Sequence, residues 1–444
     1  MADLTGLSLA RDRHLFGPGP KRILALDGGG VRGAISVAFL EQIEGLFRRQ
    51  HGEATRLCDH FDLIGGTSTG AVIAGALALG FSVGEVKDFY LKLAPQAFKR
   101  RLWHVPVLQA KFDARGLRQQ IENVVADRTL DSADLKTGLV IVAKRVDTGS
   151  PWILSNNPRA PYWENGVDPD GTAFLGNRHY SLATLVRAST AAPHYFDPEI
   201  IAIGPREPEL PDDVAKPLDR PWPLRLIFAA AERFITRRTE GLRPQTHGLF
   251  VDGAVSPHGN PSLALLQMAT LSPLGICWPL GPDRLTIVSI GTGTFRPRLA
   301  FTDLGFARFP RLALHAMTSL MTDAETMTLA LMQWMGECPA PWPINSEVGT
   351  LARDAPFGGK MFRFLRYDVR LESDWIEREL GQKISARDLA RYRGMDDPAI
   401  VYEVYELARI AAARQFKPEH WLPAPDPSAA SHSRTQADQP DRVR

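Results

Sequence analysis

A serine between two glycines is the residue of this sequence best suited to chemistry. Ser68 stands in Gly66-Thr67-Ser68-Thr69-Gly70, directly after the short run 61–64. A strand that enters Gly-x-Ser-x-Gly and leaves as a helix makes a sharp turn that holds the serine hydroxyl out of the sheet. Gly66 and Gly70 permit that strained turn and leave the hydroxyl uncrowded. The pattern predicts a nucleophile for acyl transfer at Ser68.

A glycine-rich loop earlier in the chain can supply the anion-binding groups that acyl transfer needs. Asp27-Gly28-Gly29-Gly30-Val31-Arg32-Gly33 follows the apolar run 22–26 and precedes a helical pattern. Consecutive glycines at the head of a helix expose N–H groups that stabilise charge developing on a carbonyl oxygen. We therefore expect an oxyanion hole here, with Arg32 positioning or neutralising an anion. Its candidate members are Gly28, Gly29, Gly30, Arg32 and Gly33. A tight turn without chemistry is the plainer alternative.

The same loop matches the Gly-x-Gly-x-x-Gly fingerprint of dinucleotide-binding domains, so a nucleotide-binding module is an alternative. That site needs an acidic residue about 20 positions on, at the end of the second strand. Here Glu53 lies in a polar connection, Asp62 lies at the start of the next strand, and that strand ends in the serine elbow. The mismatch favours the oxyanion hole.

Asp252 is the candidate general base. It lies in Phe250-Val251-Asp252-Gly253-Ala254, after the strand candidate 248–251, and can reach the carboxyl edge of the sheet where Ser68 lies. An aspartate has an ordinary pKa of about 3.9, which suits a serine hydroxyl poorly unless the carboxylate is desolvated. For an isolated Asp-Gly, a simple turn is the alternative.

A Ser-His-Asp triad is the competing mechanism, with His194 or His258 as the base. Six positions from Asp252 to His258 are few for two triad members that approach from different loops. Asn260 and Pro261 predict a helix start, as N-cap and first helical residue, which makes His258 a loop residue.

The elements around these residues alternate between strands and helices. The strand 22–26 and the helix 34–49 are followed by the strand 61–64 and the helix 71–79. This order predicts an α/β fold with a central, mostly parallel sheet flanked by helices. Further strand candidates are 138–146, 248–251, 285–290 and 361–371, and further helix candidates are 314–335 and 398–415. Within 34–49 the spacing places Ile35, Phe39, Ile43 and Leu46 on one side and Glu41, Glu44 and Arg48 on the other.

Together, the loop at 28–33, the elbow at 66–70 and Asp252-Gly253-Ala254 resemble the patatin-like phospholipase family, in its bacterial type. The stretch 188–193 is similar to a small-residue segment of that family. The resemblance covers about residues 20–300. It implies a patatin-like fold and a lipid acyl hydrolase with a Ser–Asp dyad and no histidine. It also implies that Ser68 is the nucleophile, that Asp252 is the base and that the loop at 28–33 is the oxyanion hole.

The chain divides into three regions by pattern. Residues 20–300 form the predicted acyl hydrolase domain, with a proline-rich insertion at 204–247. Residues 301–422 form a mainly helical C-terminal extension that packs on it. Residues 423–444 are expected to be disordered, because Pro, Ser, Asp and Gln replace the large apolar residues there.

Composition restricts the class of protein. The chain has 444 residues, 44% of them hydrophobic and 23% charged, with a formal net charge of +2, so nucleic acid is not an expected partner. Cys58, Cys277 and Cys338 show no metal-ligand spacing, and we expect neither a metal nor a cofactor. The uncharged stretch 63–84 begins with the elbow and predicts a buried helix rather than a membrane span. With no secretion signal in residues 1–16, we expect a cytoplasmic protein.

A phospholipid or another fatty-acyl ester is the expected substrate, and contact with a membrane surface is a further expectation. The segments 99–104 and 222–238 mix cations with aromatic residues, as in segments that dock on anionic lipid, although ordinary packing is the alternative. A Met-rich stripe is expected in the core or as a pliable wall for acyl chains. It contains Met317, Met321, Met327, Met332 and Met335. An esterase of non-lipid substrates, a regulatory nucleotide-binding module and an effector switched through 300–420 are the alternatives in function.

Overall fold

A computed structural model describes residues 9–97, 114–193, 195–205, 246–297, 308–356 and 358–421. His194, the segments 99–104 and 222–238, nearly all of the insertion and the tail at 423–444 lie outside the described residues. The predictions made for them stay predictions.

The described strands and helices follow the alternation expected from the sequence. The strands are β1 Lys21–Leu26, β2 Leu63–Thr67, β3 Gly138–Arg145, β4 Pro151–Ser155, β5 Gly166–Val167, β6 Ala173–Phe174, β7 Glu199–Ala202, β8 His247–Asp252, β9 Leu285–Ile290, β10 Gly336–Glu337 and β11 Phe362–Tyr367. The helices are α1 Ala10–Phe16, α2 Gly33–His51, α3 Thr69–Ala78, α4 Val83–Ala97, α5 Ala114–Val125, α6 Leu182–Ser189, α7 Ser262–Thr270, α8 Arg308–Met335, α9 Ser373–Leu380, α10 Ala386–Arg393 and α11 Val401–Gln415.

Nine of the described strands form one sheet, in the order β10-β11-β9-β1-β2-β3-β8-β7, with β4 also paired to β3. The strands from β10 to β3 in this order are parallel, whereas β4, β7 and β8 are antiparallel to their partners. Leu26 lies beside both Gly66 and Ile290, so the glycine loop, the serine elbow and the loop at Gly291 leave the same edge of the sheet. The predicted α/β fold with a mostly parallel sheet is confirmed.

β2 and β8 meet end to end beside β3. Thr67, the last residue of β2, pairs with Val142, and Asp252, the last residue of β8, pairs with the next residue, Ala143. Because β4 occupies the other side of β3 there, β8 takes the place that β2 vacates. The antiparallel β8 therefore brings Asp252 to the carboxyl end of β2 from the opposite direction. The sequence indicates the correct edge for Asp252 but not this direction.

Two helices behind the site, α2 and α3, are deeply buried. Every residue of α3 is buried, as expected for an apolar helix under the sheet. In α2, Glu44 belongs to the polar side that the spacing predicts, and it is nevertheless only 3% exposed. Its carboxylate accepts the N–H of Val83 and pairs with Arg48 at 2.8 Å. The reason is that α4 and α11 both pack on α2 and cover its polar side.

The helix start near His258 differs from its prediction by one residue. α7 begins at Ser262, and Pro261 directly precedes it. Asn260 still caps the chain, because its Oδ1 accepts the N–H of Ser262 at 3.0 Å. Within the part of the chain described here, no helix combines the length and apolar character needed to cross a bilayer.

The region after residue 300 contributes to the sheet as well as supplying helices. β11 pairs with β9 in parallel, and its Tyr367 lies beside Ile290. The Met-rich stretch is helical, within α8. The division of the chain at residue 300 stays a prediction.

Candidate active site

The turn at Ser68 has the strained geometry of a nucleophile elbow. Ser68 has φ of 56° and ψ of −125° and joins the end of β2 to the start of α3. A side chain is rarely held at positive φ unless the surroundings impose it. A Cβ on Gly66 would clash with the carbonyl oxygen of Gly70, and one on Gly70 would clash with that of Leu26. Only glycine fits at both positions, so the local sequence dictates this turn.

The Ser68 hydroxyl donates a hydrogen bond to the Asp252 carboxylate. Oγ lies 2.6 Å from Oδ2, and the other carboxylate oxygen accepts the N–H of Ala254 at 2.8 Å. Gly253 lets β8 end against β3, because a Cβ there would meet the carbonyl of Val142. The turn at residues 252–254 thus fixes the orientation of the carboxylate. The N–H of Ala254 binds one oxygen, and Oδ2 is available to the Ser68 hydroxyl.

The small-residue stretch at 188–193 joins the two sides of this pair. The backbone N–H of Ser68 donates to Oγ of Ser189 at 2.8 Å, and Ser189 donates in turn to the carbonyl of Val142 at 2.6 Å. The N–H of Asp252 donates to the carbonyl of Ala191 at 3.0 Å. Small side chains are needed in this stretch because the end of α6 and the residues after it lie within hydrogen-bond distance of both Ser68 and Asp252.

Burial changes the acidity of Asp252. Desolvation raises the pKa of its carboxyl to about 6, against the lowering effects of the bonds from Ser68 and Ala254 and of the nearby Arg187. Asp252 is 3% exposed and Ser68 is 7% exposed. A carboxylate with a pKa near 6 is a better proton acceptor than an ordinary aspartate and is still ionised at neutral pH.

The glycine loop presents two free backbone donors beside Ser68. The N–H of Gly28 donates to Gly259 at 3.1 Å, and that of Gly33 donates to Gly30. Among the described residues, the N–H groups of Gly29 and Gly30 have no protein acceptor. Gly30 has φ of 59° and lies so close to Met395 that a Cβ would clash with it. Of the predicted loop, Gly29 and Gly30 therefore have N–H groups available to a ligand. The N–H groups of Gly28 and Gly33 are used in hydrogen bonds that hold the loop.

Arg32 and Gly33 have different positions around the site. Arg32 lines the cavity in front of Ser68, donates to the carbonyl of Gly293 at 2.9 Å and lies 5.4 Å from the ring of Phe295. Burial lowers the pKa of its guanidinium. Gly33 packs under the hydroxyl of Tyr90 at the start of α2, where a Cβ would clash.

A buried charge network from the C-terminal region holds the glycine loop, and sequence reasoning missed it. Arg366 of β11 donates to Asp27 and to Asp368, at 2.7 Å in each case. Asp368 also accepts the N–H of Gly293, whose carbonyl binds Arg32. Arg366 stands more than 330 positions after Asp27 without any motif of its own, so only the pairing of β11 with β9 brings them together.

A cavity of about 230 Å³ opens at Ser68. Its polar end contains Ser68, Asp252 and the glycines 28–30. The rest is lined mainly by apolar side chains, including Val72, Leu117, Phe196, Phe295, Met317 and Met321. Two members of the Met-rich stripe thus lie in a cavity wall, whereas Met332 is in the core. Thr69, the first residue of α3, also lines this cavity.

The alternative bases and ligands occupy other positions. His258 is half-buried, and among the described residues no histidine hydrogen-bonds to Ser68 or Asp252. Asp62 accepts the N–H of Arg22 and contacts His14 before β2 begins, which is the opposite end of the sheet from the glycine loop. In the described ranges no three His, Cys, Asp or Glu residues are grouped as metal ligands.

The chain matches a known protein family. The family model described as patatin-like phospholipase matches residues 24–265, more than half of the chain. The chain belongs to the patatin-like phospholipase family. The match includes the glycine loop, the elbow and Asp252.

Relatives of the family match over part of their lengths. A cUMP-AMP-activated phospholipase of Escherichia coli is 31% identical over 180 residues, 40% of this chain and 50% of that protein. A cGAMP-activated phospholipase of Vibrio cholerae is 29% identical, over 40% of this chain and 49% of that protein. Patatin-17 of Solanum cardiophyllum is 26% identical, over 61% and 60%. The chain spans about half the length of the first two.

Solved structures are similar at low sequence identity. Human GIVD cytosolic phospholipase A2 is 12% identical, with a TM-score of 0.40 over 94% of this chain and 59% of that one. VipD from Legionella pneumophila is 11% identical, with a TM-score of 0.29 over 88% and 67%. Membership of the patatin-like family rests on the family model and not on these likenesses.

Proposed function

We propose that the protein is a lipid acyl hydrolase of the phospholipase A or lysophospholipase type, which acts through an acyl-enzyme on Ser68. The observation that carries the proposal is the 2.6 Å hydrogen bond from the Ser68 hydroxyl to a buried Asp252 at the polar end of an apolar cavity. The hydroxyl provides the nucleophile, the carboxylate the base, and the cavity the space for an acyl chain.

In the proposed reaction, Ser68 Oγ attacks the ester carbonyl carbon while its proton passes to Asp252. The negative charge on the carbonyl oxygen meets the free N–H groups of Gly29 and Gly30. When the intermediate collapses, Asp252 gives the proton to the leaving alcohol oxygen and the acyl group stays on Ser68. Water then attacks the acyl carbon, gives a proton to Asp252, and releases the fatty acid as Ser68 regains its proton.

A dyad without histidine fits the surroundings of Asp252 in the proposal. The burial that raises its pKa to about 6 makes the carboxylate a stronger base. The start of α3 and the glycine donors favour an anion at the serine and at the substrate oxygen.

We also propose that the cavity mouth contacts a membrane surface. Val255 and Met317 line the cavity and are 37% and 53% exposed, and Leu320, one turn further along α8, is 68% exposed. Exposed apolar side chains that continue into an apolar cavity give an acyl chain a path from lipid to Ser68.

The decisive experiment compares the wild type with Ser68→Ala. A fluorophosphonate probe and a short p-nitrophenyl ester should both react with the wild type, since each needs an activated serine. Neither should react with the variant. Ser272→Ala, at an exposed serine outside the cavity, is the matched control and should behave like the wild type. Labelling that persists in Ser68→Ala would sink the proposal.

A further inference from the structure

A second, smaller cavity adjoins the first. Its volume is about 70 Å³, and it shares Thr294, Phe295, Thr322 and Glu325 with the cavity that contains Ser68. Ligand pockets for whole small molecules usually measure about 300–1,000 Å³, whereas a water occupies about 30 Å³ of liquid. The smaller cavity is therefore too small for a whole ligand but large enough for one small chemical group. The rest of such a ligand must lie outside it.

Two arginines in the wall of this smaller cavity have no carboxylate partner among the described residues. Arg296 and Arg370 both line it, and within the described residues neither has an ion pair within 4 Å. The Arg370 guanidinium donates to the carbonyl of Pro343 and lies 5.7 Å from the ring of Trp342. Burial lowers the pKa of Arg370, and the charge of Arg296 lowers it further, so the two cations are close enough to repel each other.

The other charged groups of the wall are held differently. Arg366 also lines the cavity, but its guanidinium is bound by the two carboxylates of Asp27 and Asp368 and is not free for a ligand. Glu372 lines the cavity too, and its charge counteracts the effect of burial on the pKa of Arg370, without an ion pair between them.

The last acidic group, Glu325, stands where the two cavities join. Its carboxyl packs so closely on Gly259 that a Cβ at that position would lie 2.9 Å from Oε1. Burial and the nearby Asp27 raise its pKa to about 8, so at neutral pH it carries a proton that it can donate. The small cavity therefore offers two guanidinium groups that have no ion pair among the described residues, and a neutral acid where it joins the first cavity.

We propose that the cavity lined by Arg296 and Arg370 binds the phosphate group of a glycerophospholipid whose acyl ester lies at Ser68. Guanidinium groups bind phosphate oxygens through paired, charge-assisted hydrogen bonds. The phosphate and the acyl ester of one lipid are separated by only a few bonds. The two cavities adjoin and share wall residues, so one lipid can place its ester in the first and its phosphate in the second. The proposal rests on the proposed hydrolase function and adds the part of the substrate that is recognised.

The test compares two soluble substrates with the same acyl chains: dihexanoyl phosphatidylcholine and dihexanoylglycerol, which lacks the phosphate. The double variant Arg296→Gln/Arg370→Gln should lower the ratio of their kcat/KM values about tenfold or more. Arg409→Gln, an exposed arginine of α11, is the control and should leave the ratio as in the wild type. A ratio that the double variant does not change overturns the proposal.

Two further arms separate the sources of phosphate and protect the test from misfolding. Inorganic phosphate should inhibit phosphatidylcholine hydrolysis competitively in the wild type and not in the double variant. If inorganic phosphate raises Tm only in the wild type while the substrate ratio is unchanged, the site takes a free anion and the lipid assignment is overturned. Arg296→Gln alone removes an exposed side chain and should lower the ratio in the same direction if the double variant does not fold.

Binding to Ser68→Ala distinguishes the failure of this proposal from that of the hydrolase. Calorimetry should show tighter binding of dihexanoyl phosphatidylcholine than of dihexanoylglycerol, and the preference should disappear with the two arginines. That result supports the phosphate site even if the wild type hydrolyses neither lipid. Equal binding of both lipids overturns the phosphate site even if the wild type is an active esterase.

Discussion

At the scale of residues, the acidity of Asp252 links burial to the proposed reaction. The pKa of its carboxyl is raised to about 6, and only the ionised form can accept the proton of Ser68. We therefore expect kcat/KM for a soluble ester to rise as the pH increases through about 6 and to fall about tenfold per unit below it. Initial rates across this range measure the midpoint. A midpoint that vanishes in His258→Ala would instead assign the base to histidine.

Burial of the ionised Asp252 carboxylate also lowers the stability of the folded protein. The pKa rises from 3.8 to about 6 on folding, so the folded state holds the proton more tightly. The stability that this proton provides is present below the lower value and is lost as the pH rises through the window to about 6. Asp252→Asn should therefore be inactive yet more stable by about 1–3 kcal/mol at about pH 8, with a smaller gain at about pH 5. Urea unfolding at the two pH values measures this. A gain that does not depend on pH would mean that desolvation of the carboxylate is not its cause.

Several residues of the candidate site were predictable from the sequence, because each has a local constraint. Ser68 and Gly66 belong to a turn that only their residue types allow, and Gly30 takes a positive φ. Arg366 and Glu325 have no such local mark. Arg366 reaches Asp27 only through the order of the strands, and Glu325 reaches the two cavities only through the packing of α8. A single sequence does not encode such distant neighbours in any short pattern.

At the scale of elements, β11 braces the glycine loop through Arg366. Removing the arginine leaves Asp27 buried without its partner, a change that typically costs about 3–5 kcal/mol. Arg366→Gln should therefore be much less stable than the wild type. Asp27→Asn/Arg366→Gln should regain only part of the loss, because the charge of Asp27 is removed while the buried Asp368 still lacks its arginine. Chemical unfolding of the single and double variants gives the coupling energy.

The catalytic readout separates bracing from general stability. If Arg366 positions the loop, the double variant should stay slow in kcat while KM changes little, since the free N–H groups of Gly29 and Gly30 shift relative to Ser68. A double variant with both wild-type stability and wild-type kcat would contradict this role.

Elements also show where sequence reasoning stops. The type of element was predictable for α3, from the apolar stretch after the elbow, and for β9, whose predicted bounds of 285–290 are those observed. The direction of β8 did not follow, because its pattern is the same for a parallel and an antiparallel strand. What fixes the direction is the vacancy beside β3 after Thr67, which is a property of the whole sheet.

At the scale of the molecule, the mouth of the cavity at Ser68 is the surface that we propose contacts lipid. Leu320 on α8 is 68% exposed and follows Met317, which lines the cavity. Leu320→Asp places a charge where an apolar side chain would enter the headgroup region. We expect this variant to lose several-fold in binding to vesicles and in hydrolysis of vesicle lipid, while a soluble p-nitrophenyl ester reacts at the wild-type rate.

The control for this prediction is Val167→Asp, a substitution on the two-stranded ribbon of β5 and β6 that does not line the cavity. Val167 is 65% exposed, so the two variants add the same charge at nearly equal exposure. Equal losses in both variants would mean that added charge alone weakens adsorption, whatever its position. A loss confined to Leu320→Asp would orient the molecule with α8 toward the bilayer, because only then does the position of the charge matter. In that orientation the acyl chain reaches Ser68 along the methionines of α8 without passing through water, which connects adsorption to the chemistry proposed at the elbow.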